Sequence, residues 1–165
     1  MTAPTPTHPA VEKVRAELAA HGARGEIRWL DDAVTTAALA AEALGVEVGQ
    51  IANSLVFALD DEPVLVLTSG AHRVDTGFLG ERLGGVLRRA PKDVVRDATG
   101  QVIGGVAPVG HPGPVRTLVD TALAQYDVVW AAAGHAKTVF PTSFDELVRI
   151  TGGEPTPVEP ADAGA

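Results

Sequence analysis

Two apolar runs near the middle of the sequence constrain the fold more than any other feature. Residues 54–59 (SLVFAL) and residues 64–68 (VLVLT) are separated by a short acidic segment at residues 60–63 (DDEP). Two β-type runs joined by such a segment predict a β-hairpin. Because the runs are continuously apolar rather than alternating, both strands are expected to be buried on two faces. The hairpin should therefore lie inside the domain.

The rest of the chain alternates irregularly between helical and strand periodicity. Val11, Val14 and Leu18 predict an amphipathic helix that ends before Gly22. Apolar spacing, capping residues and glycine stops predict four further helices: one that begins at Thr35 or Thr36 and ends at residue 44, one over residues 75–83, one that begins at residue 94 and one over residues 144–150. The same signals predict three further strands, over residues 25–30, 116–120 and 126–133. This order predicts an α/β domain with a mixed central β-sheet surrounded by helices.

Length and composition indicate one domain. The chain has 165 residues, of which 45% are hydrophobic, enough for one proper core but not for two comfortable domains. Both ends, residues 1–9 and 154–165, are rich in proline and poor in large apolar residues. They are predicted to be flexible tails around a domain at residues 10–153.

Several classes of function are disfavoured by composition. The chain has no cysteine, which excludes disulfides and thiolate chemistry and suits the cytoplasm. No apolar run approaches the roughly 20 residues of a membrane helix, so no membrane contact is expected. The net charge of -8 argues against nucleic-acid binding through a whole basic face, and no DNA partner is expected. The five histidines are scattered without close pairing, so neither a metal nor a cofactor is predicted.

One local basic cluster remains as a candidate nucleic-acid contact. Three of its members are spaced four residues apart and would line one side of a helix. The cluster consists of Arg88, Arg89, Lys92 and Arg96. The alternative is a solvated surface whose charge is offset by Asp93 and Asp97.

Residues 102–114 (VIGGVAPVGHPGP) form the densest glycine and proline cluster in the chain. Glycine allows a backbone to approach a ligand closely, and proline fixes the chain direction, so the segment specifies a rigid and exposed backbone. It is either a surface turn between strands or a loop that carries function.

Four motifs in one order decide between these alternatives. They are residues 47–57 (EVGQIANSLVF), 63–75 (PVLVLTSGAHRVD), 104–110 (GGVAPVG) and 133–141 (AGHAKTVFP). Together they resemble the YbaK family, which is related to the editing domain inserted in bacterial prolyl-tRNA synthetase. The resemblance covers roughly residues 27–153. It implies a mixed-sheet α/β fold that is partly barrel-like, and trans-editing of a mischarged tRNA, typically proline tRNA carrying a small wrong amino acid.

The resemblance also implies where the site lies. The loop at residues 104–108 would present backbone amides to the aminoacyl ester and the terminal ribose, which places Gly104, Gly105 and Pro108 at the reaction and Val106 and Ala107 beside the substrate. Because the ester is already activated, positioning and oxyanion stabilisation can suffice without an enzymic nucleophile. Aminoacyl-tRNA is the implied partner, and prolyl-tRNA synthetase is a second candidate partner.

Asn53 is a departure from the family pattern. The family usually has a lysine directly before the serine or threonine that corresponds to Ser54. An amide cannot pair with a phosphate as a cation does, and a charge-assisted contact contributes about 1.5 to 3 kcal/mol. Three interpretations follow: a weakened or altered deacylase, one that uses Lys137 or an arginine instead, or a domain that binds tRNA, a synthetase or a small ligand without catalysis.

The segment around His135 is the remaining candidate. By the resemblance, Gly134 and His135 lie at a strand end beside the amino acid or the ester, with Ser54 in another wall. The alternative for His135 is a surface histidine in a turn. A triad of Ser54, His135 and Asp75 is disfavoured because the sequence lacks a nucleophile-elbow motif. The oligomeric state is left open.

Overall fold

The computed structural model describes residues 8–160 and contains eight strands and five α-helices in that range. The strands are β1 Arg28–Trp29, β2 Ile51–Leu59, β3 Glu62–Ser69, β4 Leu87–Arg89, β5 Arg116–Asp120, β6 Val129–Ala132, β7 Thr138–Thr142 and β8 Glu154–Thr156. The helices are α1 Pro9–Ala20, α2 Ala37–Leu44, α3 Thr76–Leu83, α4 Lys92–Thr99 and α5 Phe144–Thr151. None of the described helices has the length and apolarity needed to cross a membrane.

The predicted hairpin forms the centre of the sheet. β2 and β3 pair in antiparallel fashion from Ala52 opposite Ser69 to Leu59 opposite Glu62. The turn is two residues long, shorter than the predicted four, because the pairing continues to Glu62. Asp60 and Asp61 both adopt positive φ, 47° and 75°. Such angles match the right-handed twist of the flanking strands and are tolerated by aspartate.

The sheet is mixed, as predicted, but it is not closed. Its strand order is β1-β7-β6-β2-β3-β5-β8, with β4 on β2. The pairs β2/β6, β3/β5 and β5/β8 are parallel, and the others are antiparallel. β1 and β8 are free edges among the described strands, so the barrel-like part of the expectation does not hold.

Three apolar clusters hold the helices to the sheet. The largest includes Val14 and Leu18 of α1 and Leu147 and Ile150 of α5. A second lies between the hairpin and α3, and a third lies beneath α2. Burial of one α1 face confirms the predicted amphipathic pattern, since Val11, Val14 and Leu18 are all buried.

The structure departs from the predicted tails at both described ends. α1 begins at Pro9, and the His8 side chain accepts a hydrogen bond from the Ala10 N–H at 3.3 Å. At the other end, Glu154–Thr156 pairs with β5 and Val158 is buried. Proline is tolerated on an edge strand, which is why this proline-rich segment can be ordered. Residues 1–7 and 161–165 of the predicted tails lie outside the described residues.

Candidate functional site

A gap in the sheet beside β2 creates the candidate site. On one side of β2, β3 pairs with it along almost the whole length of β2. On the other side of β2, only the two ends of the strand are paired. There β6 pairs with Ile51 and Ala52, and β4 pairs with residues 57–59. Between these two pairings, residues 53–55 of β2 face a gap instead of a neighbouring strand.

The direction of the backbone groups places Ser54 at this gap. The Ile51 carbonyl accepts a hydrogen bond from Gly70 N–H on the β3 side, at 2.8 Å. The Val56 carbonyl accepts one from Ala90 N–H on the opposite side, at 3.1 Å. Because backbone groups alternate along a strand, the N–H and C=O of Ser54 point into the gap with those of Val56. Within residues 8–160, the gap therefore carries a free backbone donor and a free backbone acceptor.

The gap opens into a cavity of about 320 Å³. Its walls are mainly small or apolar and come from α2, β6, β7 and α4, with members such as Ala40, Trp130, Val139 and Val95. Of the described residues that line it, Arg89 alone carries a formal charge, and none is a carboxylate or a histidine. A cavity of this kind, apolar with few convergent polar groups, is typical of a site for a small group.

The side chain of Ser54 adds an unused polar atom to the cavity wall. Its Oγ is buried and has no hydrogen-bond partner within the described chain. Buried hydroxyls normally have a partner, so this one is available to a bound molecule. Asn53 also lines the cavity, on the same stretch of β2.

The glycine-rich loop contributes two residues with unpaired amides to the lining of the cavity, among the described residues. Gly104 and Val106 line the cavity, and neither N–H forms a hydrogen bond within residues 8–160. The N–H of Gly105 is already bound to the Val102 carbonyl at 3.1 Å, and that of Ala107 to Gln101 Oε1 at 2.6 Å. Gly104 has a φ of 98°, which an L-residue rarely adopts. Its conformation therefore depends on glycine.

Gln101 anchors this loop from below. It is 3% exposed, its Oε1 accepts from Ala107 N–H, and its Nε2 donates to the Val109 carbonyl at 3.2 Å. His111 Nε2 lies 2.9 Å from the Ala107 carbonyl and donates to it. Burial lowers the pKa of His111, which favours the neutral ring in this position. Sequence reasoning missed Gln101, because a single glutamine carries no periodicity or motif.

Gly105 and Gly134 pack against each other rather than against the cavity. The Gly134 N–H donates to the Gly105 carbonyl at 2.9 Å. A Cβ on Gly105 would lie 2.6 Å from the His135 carbonyl carbon, and Gly134 has a φ of 103°. Both positions require glycine because two backbones approach closely.

His135 follows the end of β6, as predicted, but it does not line the cavity. Its Nδ1 accepts a hydrogen bond from Lys137 N–H at 3.0 Å, so a neutral ring carries its proton on Nε2. The ring packs at 5.1 Å from both His8 and Trp29. Desolvation, followed by the nearby charges of His8 and Lys137, lowers the pKa of His135.

The sequence-predicted site residues thus divide into two groups. The structure brings Asn53, Ser54, Gly104, Val106 and Arg89 together around the cavity. The others lie elsewhere: Gly105, Ala107, Pro108, Gly134, His135, Arg88, Lys92 and Arg96. Sequence reasoning did not assign Thr35 to the site, although its methyl group lies 3.4 Å from where a Gly104 Cβ would stand. The sequence feature that could have indicated Thr35 is its position next to Thr36, the residue that caps α2.

The predicted basic helix face does not form. Arg88 and Arg89 belong to β4, where neighbouring side chains point to opposite faces, and α4 begins only at Lys92. The guanidinium of Arg89 lies 5.6 Å from the centre of the Phe57 ring. The prediction was wrong because Pro91 separates the strand from the helix.

No catalytic triad or metal site is assembled in the described part of the chain. Ser54 Oγ has no hydrogen-bond partner, and the Asp75 carboxylate accepts from Phe78 N–H at 2.9 Å as the cap of α3. Ser54, His135 and Asp75 therefore do not form a hydrogen-bonded relay. Across residues 8–160, no three histidine or acidic side chains are grouped so as to hold a metal ion.

Comparison with known proteins gives this site a context. Residues 31–150 match the model of the aminoacyl-tRNA editing domain family. The uncharacterized protein YwhH of Bacillus subtilis (strain 168) is 25% identical over 84% of this chain and 88% of its own. The proline–tRNA ligase of Maridesulfovibrio salexigens is 32% identical over 53% of this chain, but this match spans 14% of the ligase.

A solved structure extends the likeness to almost the whole chain. A crystal structure of a candidate trans-editing enzyme for prolyl-tRNA synthetase superposes with a TM-score of 0.88. Its sequence is 37% identical, and the match covers 94% of this chain and 100% of that one. The fold described above is thus a shared architecture.

Proposed function

Since the chain belongs to the aminoacyl-tRNA editing domain family, we propose that it hydrolyses the ester bond between a wrong amino acid and its tRNA. The proposed substrate is a small amino acid mischarged on proline tRNA. The likeness to a candidate trans-editing enzyme for prolyl-tRNA synthetase and the partial match to a proline–tRNA ligase support this choice.

One observation carries the proposal. Backbone donors without a partner among residues 8–160 belong to residues from two separate segments that line one cavity: Ser54 on β2, and Gly104 and Val106 on the loop. Donors fixed in this way stabilise negative charge as it develops on an ester oxygen, without reorganisation during the reaction. A cavity of about 320 Å³ is large enough to accommodate a small aminoacyl group.

The reaction needs no covalent intermediate with the protein. A water oxygen attacks the ester carbonyl carbon, and the carbonyl oxygen becomes an oxyanion that the Gly104 and Val106 amides stabilise. The tetrahedral intermediate then collapses, the bond to the ribose oxygen breaks, and that oxygen takes up the proton lost by the water. The products are a free amino acid and a tRNA with an intact terminal ribose. The protein contributes position and hydrogen bonds.

Asn53 favours a second candidate function, a noncatalytic module that binds tRNA or a synthetase. The residue lines the cavity where the family pattern has a lysine, and its amide carries no charge to hold a phosphate. If the cationic contact is indispensable, the cavity binds the aminoacyl end without turning it over.

A deacylation assay separates the two functions. Wild-type protein, Asn53→Lys and Gln125→Lys are compared on alanyl-, cysteinyl- and seryl-tRNA for proline. Gln125 lies outside the cavity, in the short helical segment Thr121–Gln125, so its variant adds the same charge away from the site. We expect wild-type hydrolysis of at least one substrate, and a gain of about tenfold in kcat/KM for Asn53→Lys that Gln125→Lys does not reproduce.

Two results would change the assignment. Hydrolysis by Asn53→Lys alone indicates a catalytic fold whose natural reaction has been lost. Absence of hydrolysis by all three proteins, with retained binding of tRNA, establishes the noncatalytic module.

A further inference from the structure

A second cavity adjoins the candidate site across β2. It also measures about 320 Å³, and it is lined by residues of β2, the β3–α3 connection, the start of α3 and β4. Asn53, Leu55 and Arg89 line both cavities, so the two are neighbours with a shared wall. We call the second one the arginine groove, after Arg73 and Arg89, which both line it.

The charges of the arginine groove differ from those of the first cavity. Two guanidinium groups line it, and neither Arg73 nor Arg89 lies within 4.0 Å of a carboxylate among residues 8–160. Both residues are exposed. In a protein of net charge -8, a groove with two unpaired guanidinium groups is a local site for an anion.

The acidic groups near the groove are already satisfied. His72 lies between two carboxylates, with Nδ1 3.1 Å from Asp120 and Nε2 3.5 Å from Glu159. Asp120 is 1% exposed and also accepts hydrogen bonds from Ser69 N–H at 2.9 Å and Ala122 N–H at 3.0 Å. These contacts occupy His72 and Asp120 with partners inside the protein, which leaves Arg73 and Arg89 as the groove's available cations.

We propose that the arginine groove binds a backbone phosphate of the 3′-terminal strand of tRNA, next to the nucleoside whose ester occupies the first cavity. This inference rests on the proposed function, because it takes the ester in the first cavity as its starting point. The group that follows an aminoacylated terminal nucleoside along the strand is a phosphodiester. Guanidinium groups recognise phosphate oxygens through paired, charge-assisted hydrogen bonds.

The assignment explains how a chain with Asn53 can hold the strand. Arg89 lines both cavities, so its cation lies on the wall where Asn53 provides none. Arg73 extends the positive charge further from the first cavity. The strand would thus be held by one cation on the wall that the two cavities share and by a second one outside the ester site.

Binding of an unacylated RNA tests the groove without requiring catalysis. The probe is a fluorescent single-stranded RNA that ends in CCA, titrated with wild type, Arg73→Gln, Arg89→Gln and Arg82→Gln. Arg82 is an exposed arginine in the last turn of α3 that lines neither cavity. We expect Arg73→Gln and Arg89→Gln each to weaken binding about tenfold and to reduce the slope of log K against log salt by about 0.7. Arg82→Gln should change the affinity less than about twofold. Equal effects of all three variants would overturn the proposal.

A substrate series distinguishes failure of the groove from failure of the proposed function. Hydrolysis is measured on an aminoacyl-adenosine and on the aminoacyl dinucleotide CpA, which differ by one phosphodiester and one cytidine. Arg73→Gln should raise KM for the dinucleotide and leave KM for the nucleoside unchanged. Equal effects on both substrates refute the groove. If wild type hydrolyses neither while the RNA titration keeps its predicted order, the deacylase function fails and the groove stands.

Discussion

The two halves of the glycine-rich loop use their backbone groups for different purposes. In the first half, Gly104 and Val106 face the cavity and keep their N–H groups unpaired among the described residues. In the second half, the backbone at Ala107 and Val109 is bound to the buried side chain of Gln101. One half is therefore free to bind a ligand because the other half is fixed to the core.

The contrast is sharpest between the adjacent residues Gly104 and Gly105. A Cβ on Gly104 would meet nothing closer than the Thr35 methyl at 3.4 Å, but φ at this position is 98°. A Cβ on Gly105 would meet backbone atoms of His135 and Ala136 at 2.6 to 2.8 Å. Gly104 is required by conformation and Gly105 by space, so their substitutions should separate activity from stability.

Gly105→Ala is expected to have the largest effect. The added methyl must push the loop away from the His135 backbone and break the hydrogen bond from Gly134 N–H to the Gly105 carbonyl. Overpacking of this kind, with a buried hydrogen bond lost, should lower the free energy of unfolding by about 3 kcal/mol. Urea denaturation measures the change.

Gly113→Ala provides the matched control in the same loop. No atom lies within 4 Å of a Cβ at Gly113, and its φ is not positive, so alanine should change the free energy of unfolding by less than about 0.5 kcal/mol. If Gly105→Ala unfolds at the same urea concentration as Gly113→Ala, the close backbone approach is not needed for stability.

Gly104→Ala should act mainly on the reaction. Alanine disfavours a φ of 98°, so the segment relaxes and its N–H moves away from the position of the oxyanion. We expect kcat/KM for deacylation to fall about 30-fold, a smaller effect than loss of a complete oxyanion donor. The free energy of unfolding should fall by only about 1 kcal/mol, because the residue can relax towards solvent.

Gly152→Ala controls for the strain itself. Gly152 ends α5 with a φ of 66°, has open space around its Cβ position and lies outside the cavity. The Gly152→Ala variant should lose about as much free energy of unfolding as Gly104→Ala and retain the wild-type kcat/KM. An equal loss of activity in both variants would show that strain, rather than the Gly104 amide, limits the reaction.

Local sequence patterns predicted much of the fold. The β2/β3 hairpin, α1, the Thr36 cap and Gly45 stop of α2, the helical segment that forms α3 and the Ser143 cap of α5 are all confirmed. Each depends on residues within one turn or one strand. By contrast, β4, β7 and β8 have three to five residues and were not predicted. β4 and β8 pair with strands that are distant in sequence, and all three strands are short, so their own composition carries little signal.

The same distinction applies to the site. Asn53, Ser54, Gly104 and Val106 come from motifs that a single sequence displays, and they meet at one cavity. The gap beside β2 does not appear in the sequence, because it results from where β6 and β4 end their pairing. Nor could spacing show that Gly105 and Gly134 serve backbone packing, since their contact joins segments about thirty residues apart.

His111→Gln tests the fixed half of the loop and should have the smallest effect. Burial lowers the pKa of His111 from its ordinary 6.5, so below pH 6.5 the unfolded chain binds a proton that the folded chain does not. This residue therefore destabilises the fold as the pH falls, and glutamine, which can still donate to the Ala107 carbonyl, removes that dependence.

Urea denaturation of the wild type and of His111→Gln between pH 8 and pH 5 should show the wild type losing its advantage in stability as the pH decreases. The change in the free energy of unfolding stays below those expected for Gly105→Ala and Gly104→Ala. Lys13 and Glu17 shift the pKa of His111 in opposite directions, and the hydrogen bond to Ala107 partly offsets the effect of burial. A constant difference between the two curves would mean that His111 is as easily protonated in the folded loop as in the unfolded chain.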